Sequence, residues 1–262
     1  MDLPPDLRSR LSDIHADESL RRGGQGELLS GRWSEPGHSH DGREVVLKVY
    51  QSHYKRDRIW NFWSAADERF VTRLLFGQRY GSHDFEVTER HRHGSLKMLI
   101  YGRKPMSAEQ AELVLRQLTD ALTHIGTSEM LHGDVKPGNI LVRSKSPLHL
   151  VLVDFGVSHE LEDGSVSASA FEGSALYVAP ERRDGTLSLK SDWWSLGIVM
   201  LELLLGRYPF GTDRGGHQDV DRARFFRDQD IEAAQFIGDR ADLGARWIDL
   251  IDGLLTRDHH QR

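Results

Sequence analysis

The chain has 262 residues, 38% of them apolar and 28% charged, with a formal net charge of −6. That is enough chain for one large domain or two lobes, each burying a core, and it carries no global basic field to attract nucleic acid. The absence of cysteine excludes disulfides, thiol chemistry and cysteine-based zinc sites. The N-terminus, MDLPPDLRSRL, has no apolar signal core. The most apolar run, Trp193 to Leu205, carries Glu202 and falls short of the ~20 residues a membrane span needs. It reads as a buried core helix, and a cytoplasmic protein without membrane contact is expected.

Residues 4–14 read as a short helix started by Pro4 and Pro5, with Leu7, Leu11 and Ile14 on one face. The run Arg21-Arg22-Gly23-Gly24-Gln25-Gly26-Glu27-Leu28 follows. It is either a plain glycine hairpin or a loop whose backbone N–H groups approach a phosphate. Strands are expected over 28–33 and 44–50, with a turn at 34–42. Lys48 interrupts the second strand, EVVLKVY. It points either to solvent from an edge or to a phosphate beneath the glycine loop. A helix over 57–76 presents Ile59, Phe62, Trp63, Ala66 and Phe70 on one face. Glu68, or failing that Asp67, is the candidate partner of Lys48. Two strands are expected at 84–90 and 95–101, joined by His91-Arg92-His93-Gly94. The pairs His38/His40 and His91/His93 lack an evident third metal ligand. Gly102-Arg103-Lys104-Pro105 is the expected break between halves.

In the second half, Ser107 is a plausible N-cap for a helix to about Gly126. Residues 132–156, HGDVKPGNILVRSKSPLHLVLVDFG, then place Asp134 and Asn139 on a polar loop and Asp154 after an apolar run. This suggests a base on a loop and two oxygen ligands for a divalent ion; Mg²⁺ favours one or two carboxylates plus substrate phosphates. A serine- and glycine-rich stretch without periodicity follows, of the kind that is often functional. It ends at Gly173-Ser174-Ala175-Leu176-Tyr177-Val178-Ala179-Pro180-Glu181. Ser191-Asp192 is expected to cap the helix 193–205, and helices are expected at 228–237 and 243–255.

In this order the segments resemble a eukaryotic-type protein kinase domain of the serine/threonine class over roughly residues 17–262. The matching motifs are the glycine loop, Val45-Val46-Leu47-Lys48, Glu68, His132-Gly133-Asp134 with Lys136 and Asn139, Asp154-Phe155-Gly156, Ala179-Pro180-Glu181 and Asp192-Trp193-Trp194-Ser195-Leu196-Gly197. The resemblance implies an α+β bilobal fold. An N-lobe of residues 1–101, a small antiparallel sheet with one main helix, is followed by a hinge at 102–104. A mostly helical C-lobe spans 105–262 and is expected to be truncated before a last helix, with further domains possible beyond residue 262.

It also implies ATP and Mg²⁺ as cofactors and a protein substrate presented to residues 173–181. Asp134 would orient the substrate hydroxyl, and Lys136 would offset charge on the transferred group. Asn139 and Asp154 would hold Mg²⁺. Gly23, Gly24 and Gly26 would cover the phosphates, and Lys48, held by Glu68, would contact them. Leu28, Val46 and Leu141 would sandwich adenine, with Ile100, Tyr101 and Gly102 along its edge. Asp192 would brace the catalytic loop, Ser174 would bond Asp134 and Lys136, and Arg262 would pair with Glu181.

The sequence departs from the family at the first loop glycine, where Arg21 stands, and at the H-R-D arginine, where Gly133 stands. That arginine gathers an activation-segment phosphate, so activity independent of such phosphorylation is expected. H-G-D also resembles aminoglycoside and choline kinases. A small-molecule kinase and a pseudokinase scaffold are the alternatives.

Overall fold

Strands β1 (Leu11–Ala16), β2 (Glu27–Trp33), β3 (Glu44–Tyr50), β4 (Leu74–Tyr80) and β5 (His83–Glu89) form one antiparallel sheet in the order β1-β2-β3-β5-β4. The computed structural model describes residues 3–16, 27–50, 57–100, 104–167, 174–211 and 229–262. The expected glycine loop, with Gly23, Gly24 and Gly26, lies outside the described residues, as do Tyr101 and Gly102. The chain divides into two compact units, Met1–Arg92 and His93–Arg262.

In the first unit the two faces of the sheet differ in chemistry. Successive strand residues point to opposite faces. Leu29, Trp33, Val45, Leu47, Val49, Phe85 and Val87 share an apolar cluster with Leu3, Leu7 and Leu11. The opposite face carries Leu28, Val46, Lys48, Tyr50, Asp84, Glu86 and Thr88, by the same alternation. Helix α2 (Asp57–Ala65) contacts this second face at β4, where the Trp60 indole lies on Gly77.

Several expectations change here. The helix expected over 4–14 is α1 (Pro5–Arg8) followed by β1. Leu7 and Leu11 reach the same core, one from a helix and one from a strand, and their spacing alone suits either. The helix expected over 57–76 stops at Ala65, and β4 follows after turns. Strand β4 has a weak pattern of its own and is defined by pairing with β5, a context effect on strand formation.

The expected strand 95–101 is instead helix α3 (Leu96–Ile100). Leu96 and Ile100 are buried four residues apart, while Met98 is 65% exposed, which is helical periodicity in a run too short to classify by pattern. Of the expected hinge at 102–104, residues 102 and 103 lie outside the described residues; the boundary between compact units falls between Arg92 and His93.

The second unit is built on α4 (Ala108–Gly126), the hairpin β7 (Ile140–Lys145) and β8 (Leu148–Leu152), α5 (Leu189–Leu205) and α7 (Ala245–Leu254). Between these elements lie the short strands β6 (Met130–Leu131), β9 (His159–Glu160), β10 (Ser165–Ser167) and β11 (Thr186–Ser188), and helix α6 (Ala234–Ile237). Ser107 caps α4 in a capping box with Gln110. Helix α5 starts four residues before Trp193, because Ser188 and not Ser191 is its N-cap; Ser191 is the reciprocal partner in the box. It is buried nearly all round, as its uniformly apolar sequence requires. Among the described residues no helix is long and apolar enough to cross a membrane.

A Cβ on Gly77 would lie 2.8 Å from the Trp60 ring. Gly77→Ala is expected to lower stability by about 1–3 kcal/mol through overpacking. Urea unfolding followed by tryptophan fluorescence checks this.

Candidate active site

Asp192, on the first turn of α5, is 4% exposed, and its carboxylate accepts two consecutive backbone N–H groups. His132 N donates to Oδ2 at 2.8 Å and Gly133 N to Oδ1 at 2.9 Å. Burial pushes the carboxyl above the ordinary aspartate range, against the pull of the nearby His132 and of those two N–H groups. The brace expected of Asp192 is thus formed. The His132 ring carries it forward: Nδ1 accepts from Asp134 N at 3.3 Å, so Nε2 bears the proton and donates to Val153 O at 3.0 Å. One buried imidazole therefore spans the two segments that carry Asp134 and Asp154. Its ring also packs on Phe155, with centroids 5.0 Å apart.

Asp134 is 7% exposed, and its carboxylate is held from three directions. Lys136 Nζ and Asn139 Nδ2 donate to Oδ2 at 2.5 and 2.9 Å, and Ser174 N donates to Oδ1 at 2.9 Å. Asn139 Nδ2 also donates to Asp134 O at 2.9 Å. With Nδ2 committed to Asp134, the amide oxygen Oδ1 is the atom Asn139 has to offer a cation. Lys136 Nζ reaches Ser174 Oγ at 2.6 Å. The expected tie between Ser174 and both Asp134 and Lys136 is present, with the main-chain N–H serving the aspartate and the hydroxyl serving the lysine. Asp154 has φ +67, a left-handed conformation that aspartate tolerates better than most residues. Gly156 N donates to its Oδ1 at 3.3 Å.

The segment from Ser174 to Glu181 is fastened to α5. Ser195 Oγ donates to Tyr177 O at 2.8 Å, and Tyr177 OH donates to the buried Glu202 at 2.7 Å. Glu181 accepts from Ser191 Oγ at 2.8 Å and from both terminal nitrogens of Arg262 at 2.9 and 3.2 Å. This is the pairing expected of Arg262. Its guanidinium also lies over the Trp194 ring.

In the first unit, Leu28, Lys48 and Glu86 are successive Cα partners across β2, β3 and β5, and Val46 lies in the next row on the same face. Glu68 is not on α2: it sits in the turn beyond it and pairs with Arg73. Leu141 is half-buried on β7, and Ile100 is buried in α3 rather than at a strand end. The histidine pairs acquire a shared neighbour: His40 and His91 lie 3.6 and 3.4 Å from the two oxygens of Glu89. Burial, and secondarily Arg43, push His40 below the ordinary imidazole range, with Glu89 opposing. These groups do not converge as a metal cage among the described residues.

Sequence reasoning missed Glu86, which accepts from Tyr50 OH at 2.7 Å and Trp60 Nε1 at 2.9 Å. The available signal was a charged residue set between two apolar ones, Phe85-Glu86-Val87.

Gly133 has φ +76, and a Cβ there would lie 2.7 Å from Val157 O. Any side chain would meet both the left-handed penalty, about 1–2 kcal/mol, and a main-chain clash. Gly133→Ala and Gly133→Arg are both expected to lower the melting temperature, by about 2–8 °C for a loss of that size in a chain this long. Differential scanning fluorimetry measures it.

Comparison with known proteins agrees with this geometry. Serine/threonine-protein kinase PknL of Mycobacterium tuberculosis is 34% identical over 181 residues, covering 65% of this chain and 45% of its own. Serine/threonine-protein kinase AtPK2/AtPK19 of Arabidopsis thaliana is 27% identical over 220 residues, covering 84% of this chain and 43% of its own. Human death-associated protein kinase 2 is 36% identical over 123 residues, 46% of this chain and 33% of its own. The chain thus spans less than half the length of these curated relatives. The protein kinase domain family matches residues 30–262, and with the antiparallel sheet, the braced loop around Asp134 and the anchored Ser174–Glu181 segment in place, the chain belongs to that family.

Proposed function

We propose that the chain is the catalytic domain of a serine/threonine protein kinase that transfers the terminal phosphoryl group of ATP to protein hydroxyls. The observation that carries this reading is the triple restraint on Asp134 by Lys136, Asn139 and Ser174. A carboxylate with both oxygens in defined positions is suited to orient an attacking hydroxyl and accept its proton. Lys136 bridges Asp134 and Ser174 and is suited to offset charge on the transferred phosphoryl. Asn139 Oδ1 and the Asp154 carboxylate are the hard oxygen donors that Mg²⁺ prefers, and they are the residues that would hold it. When bound, the metal would neutralise phosphate charge.

In this reading Lys48 contacts the α- and β-phosphates, Gly23, Gly24 and Gly26 cover them, and Leu28, Val46 and Leu141 pack on adenine. The backbone along the adenine edge is assigned to residues 89–92, where the chain leaves β5, in place of Ile100, Tyr101 and Gly102. Support comes from the helical conformation at 96–100. A cytoplasmic catalytic domain suits the dependence on ATP.

Two further features bear on substrate and control. The segment fastened to α5 through Tyr177 and Glu181 supports a peptide ledge, which favours a protein acceptor over an aminoglycoside or choline. The strained geometry available at Gly133 supports activity that needs no activation-segment phosphate gathered through that position.

Phosphotransfer from labelled ATP with Mg²⁺ tests the proposal, with protein and aminoglycoside acceptors side by side. Label is expected in protein only, and Asp134→Ala is expected to reduce it about 100- to 10,000-fold. Wild-type rates from Asp154→Asn would refute the enzyme assignment. Phosphatase-treated wild type is expected to keep its activity. Complete loss, recovered on loop phosphorylation, would refute the regulatory reading.

A further inference from the structure

We propose that Asp258, His259 and His260, on the turn that follows α7, form a binding site for a transition-metal dication of the Zn²⁺ type. The site stands apart from the Mg²⁺ ligands assigned to Asn139 and Asp154 and does not depend on the phosphotransfer reading.

The placement follows from the turn. The Asp258 carboxylate and one ring nitrogen each of His259 and His260 lie within 4.8 Å of one another. Side chains of consecutive residues usually diverge, to opposite faces in a strand. Here the chain folds back: Gln261 N donates to Asp258 O and His260 N to Asp258 Oδ1, both at 3.0 Å. The second bond is the one by which an aspartate turns the backbone two residues on. The two imidazole rings then lie with centroids 4.0 Å apart and planes inclined by 37°. Tetrahedral bonds of about 2.0–2.1 Å put donor atoms about 3.3 Å apart, a spacing that small side-chain rotations reach from here.

The ligands are also accessible. Among the described residues Asp258 has no cationic partner, and no hydrogen bond engages a ring nitrogen of His259 or His260. Asp258 and His260 are exposed and His259 is half-buried. An ion arriving from solvent would displace only water, and its remaining positions would stay open to water, the arrangement of a three-ligand zinc site. Two imidazoles with one carboxylate select Zn²⁺, Ni²⁺ or Cu²⁺ over Mg²⁺, which takes oxygen ligands.

The turn has a firm base on both sides. Before it, Leu255 is buried and its N–H returns to Ile251 O on α7, and Thr256 Oγ1 donates to Asp252 O at 2.9 Å. After it, the Arg262 side chain, 1% exposed, donates from Nε and Nη2 to Thr256 O at 3.1 and 2.9 Å. The stretch from Thr256 to Arg262 is thus closed on itself, with the three ligands at its tip. The same guanidinium holds Glu181. An ion at the tip would add a second closure to the loop that anchors the Ser174–Glu181 segment, and would stabilise the folded chain by binding it.

Isothermal titration of the whole chain with ZnCl₂, in buffer containing excess Mg²⁺, tests the site. The chain has 14 histidines, so the comparison with variants decides. Wild type is expected to bind one equivalent of Zn²⁺ that the double variant His259→Ala/His260→Ala does not. Each single variant is expected to weaken that equivalent by about 10–100-fold or more, since loss of even an outer partner of a metal ligand has an effect of this size. Asp258→Asn keeps the acceptor for His260 N, and so the turn, and is expected to weaken binding while leaving the metal-free melting temperature unchanged. Zn²⁺ is expected to raise the melting temperature of wild type and not that of the double variant. In wild type, ring ¹H–¹⁵N spectra are expected to show two histidines shifting together at the first equivalent. Identical titrations of wild type and double variant, unchanged affinity in Asp258→Asn, or displacement of Zn²⁺ by Mg²⁺ would overturn the proposal.

Discussion

The Asp192 carboxylate, buried at the start of α5, accepts the N–H groups of His132 and Gly133 and so ties the loop of Asp134 to the most deeply buried helix of the second unit. Hydrogen bonds in such a desolvated setting are strong when made and costly when lost. Everything nearer the chemistry hangs from this tie. With its N–H fixed, His132 presents its ring edge-on to two segments, holding Asp134 N at one nitrogen and Val153 O at the other. Further along the same helix, Ser195 and Glu202 hold Tyr177 by its carbonyl and its hydroxyl. A single apolar helix with a few buried polar groups thus sets the positions of the loop, the Asp154 strand end and the Ser174–Glu181 segment. A core residue that seems to serve only packing has a direct line to Asp134.

Gly133 explains how this tie is made in the absence of the family's usual arginine. The N–H of a residue with φ +76 points at Asp192 while its carbonyl faces Arg182, whose Nη1 lies 3.4 Å away. The same backbone arrangement leaves no room for a Cβ beside Val157 O. A residue that looks in sequence like the loss of one arginine is structurally a requirement of the loop. In place of a phosphate-gathering side chain, the loop is joined to the segment beyond Asp154 by contacts that include Ser174 with Asp134 and Lys136, Ser158 Oγ with His132 O, and Arg182 with Gly133 O. On the proposed function, these bonds preassemble the site without a covalent modification.

The first unit solves a different problem. Its sheet has one apolar face, closed by Leu3, Leu7 and Leu11, and one face on which ionisable groups sit among tyrosine and tryptophan. Such a face can be buried only if each polar atom is satisfied. Glu86 meets that condition through Tyr50 and Trp60, which links β3, α2 and β5 at one carboxylate.

Much of the architecture was legible from the chain alone. The motif spacing around Asp134, Asn139 and Asp154, the strand holding Lys48, the helix beginning near Ser107, the Asp192 brace and the Glu181–Arg262 pair all follow from local pattern or family resemblance, because each is defined by residues at short fixed offsets or by one matching motif. The boundaries were not legible where a short apolar run suits two conformations. Leu96–Ile100 becomes a helix whose leucine and isoleucine ends are both buried, four residues apart, and Leu74–Tyr80 becomes a strand because β5 is there to pair with it. The cross-strand neighbour of Lys48 was hidden for the same reason. Sequence offset pointed to an acid on the following helix, but that helix ends at Ala65, and strand register brings Glu86 opposite the lysine from 38 positions along the chain. Register is a property of the paired strands, so no reading of either strand alone contains it.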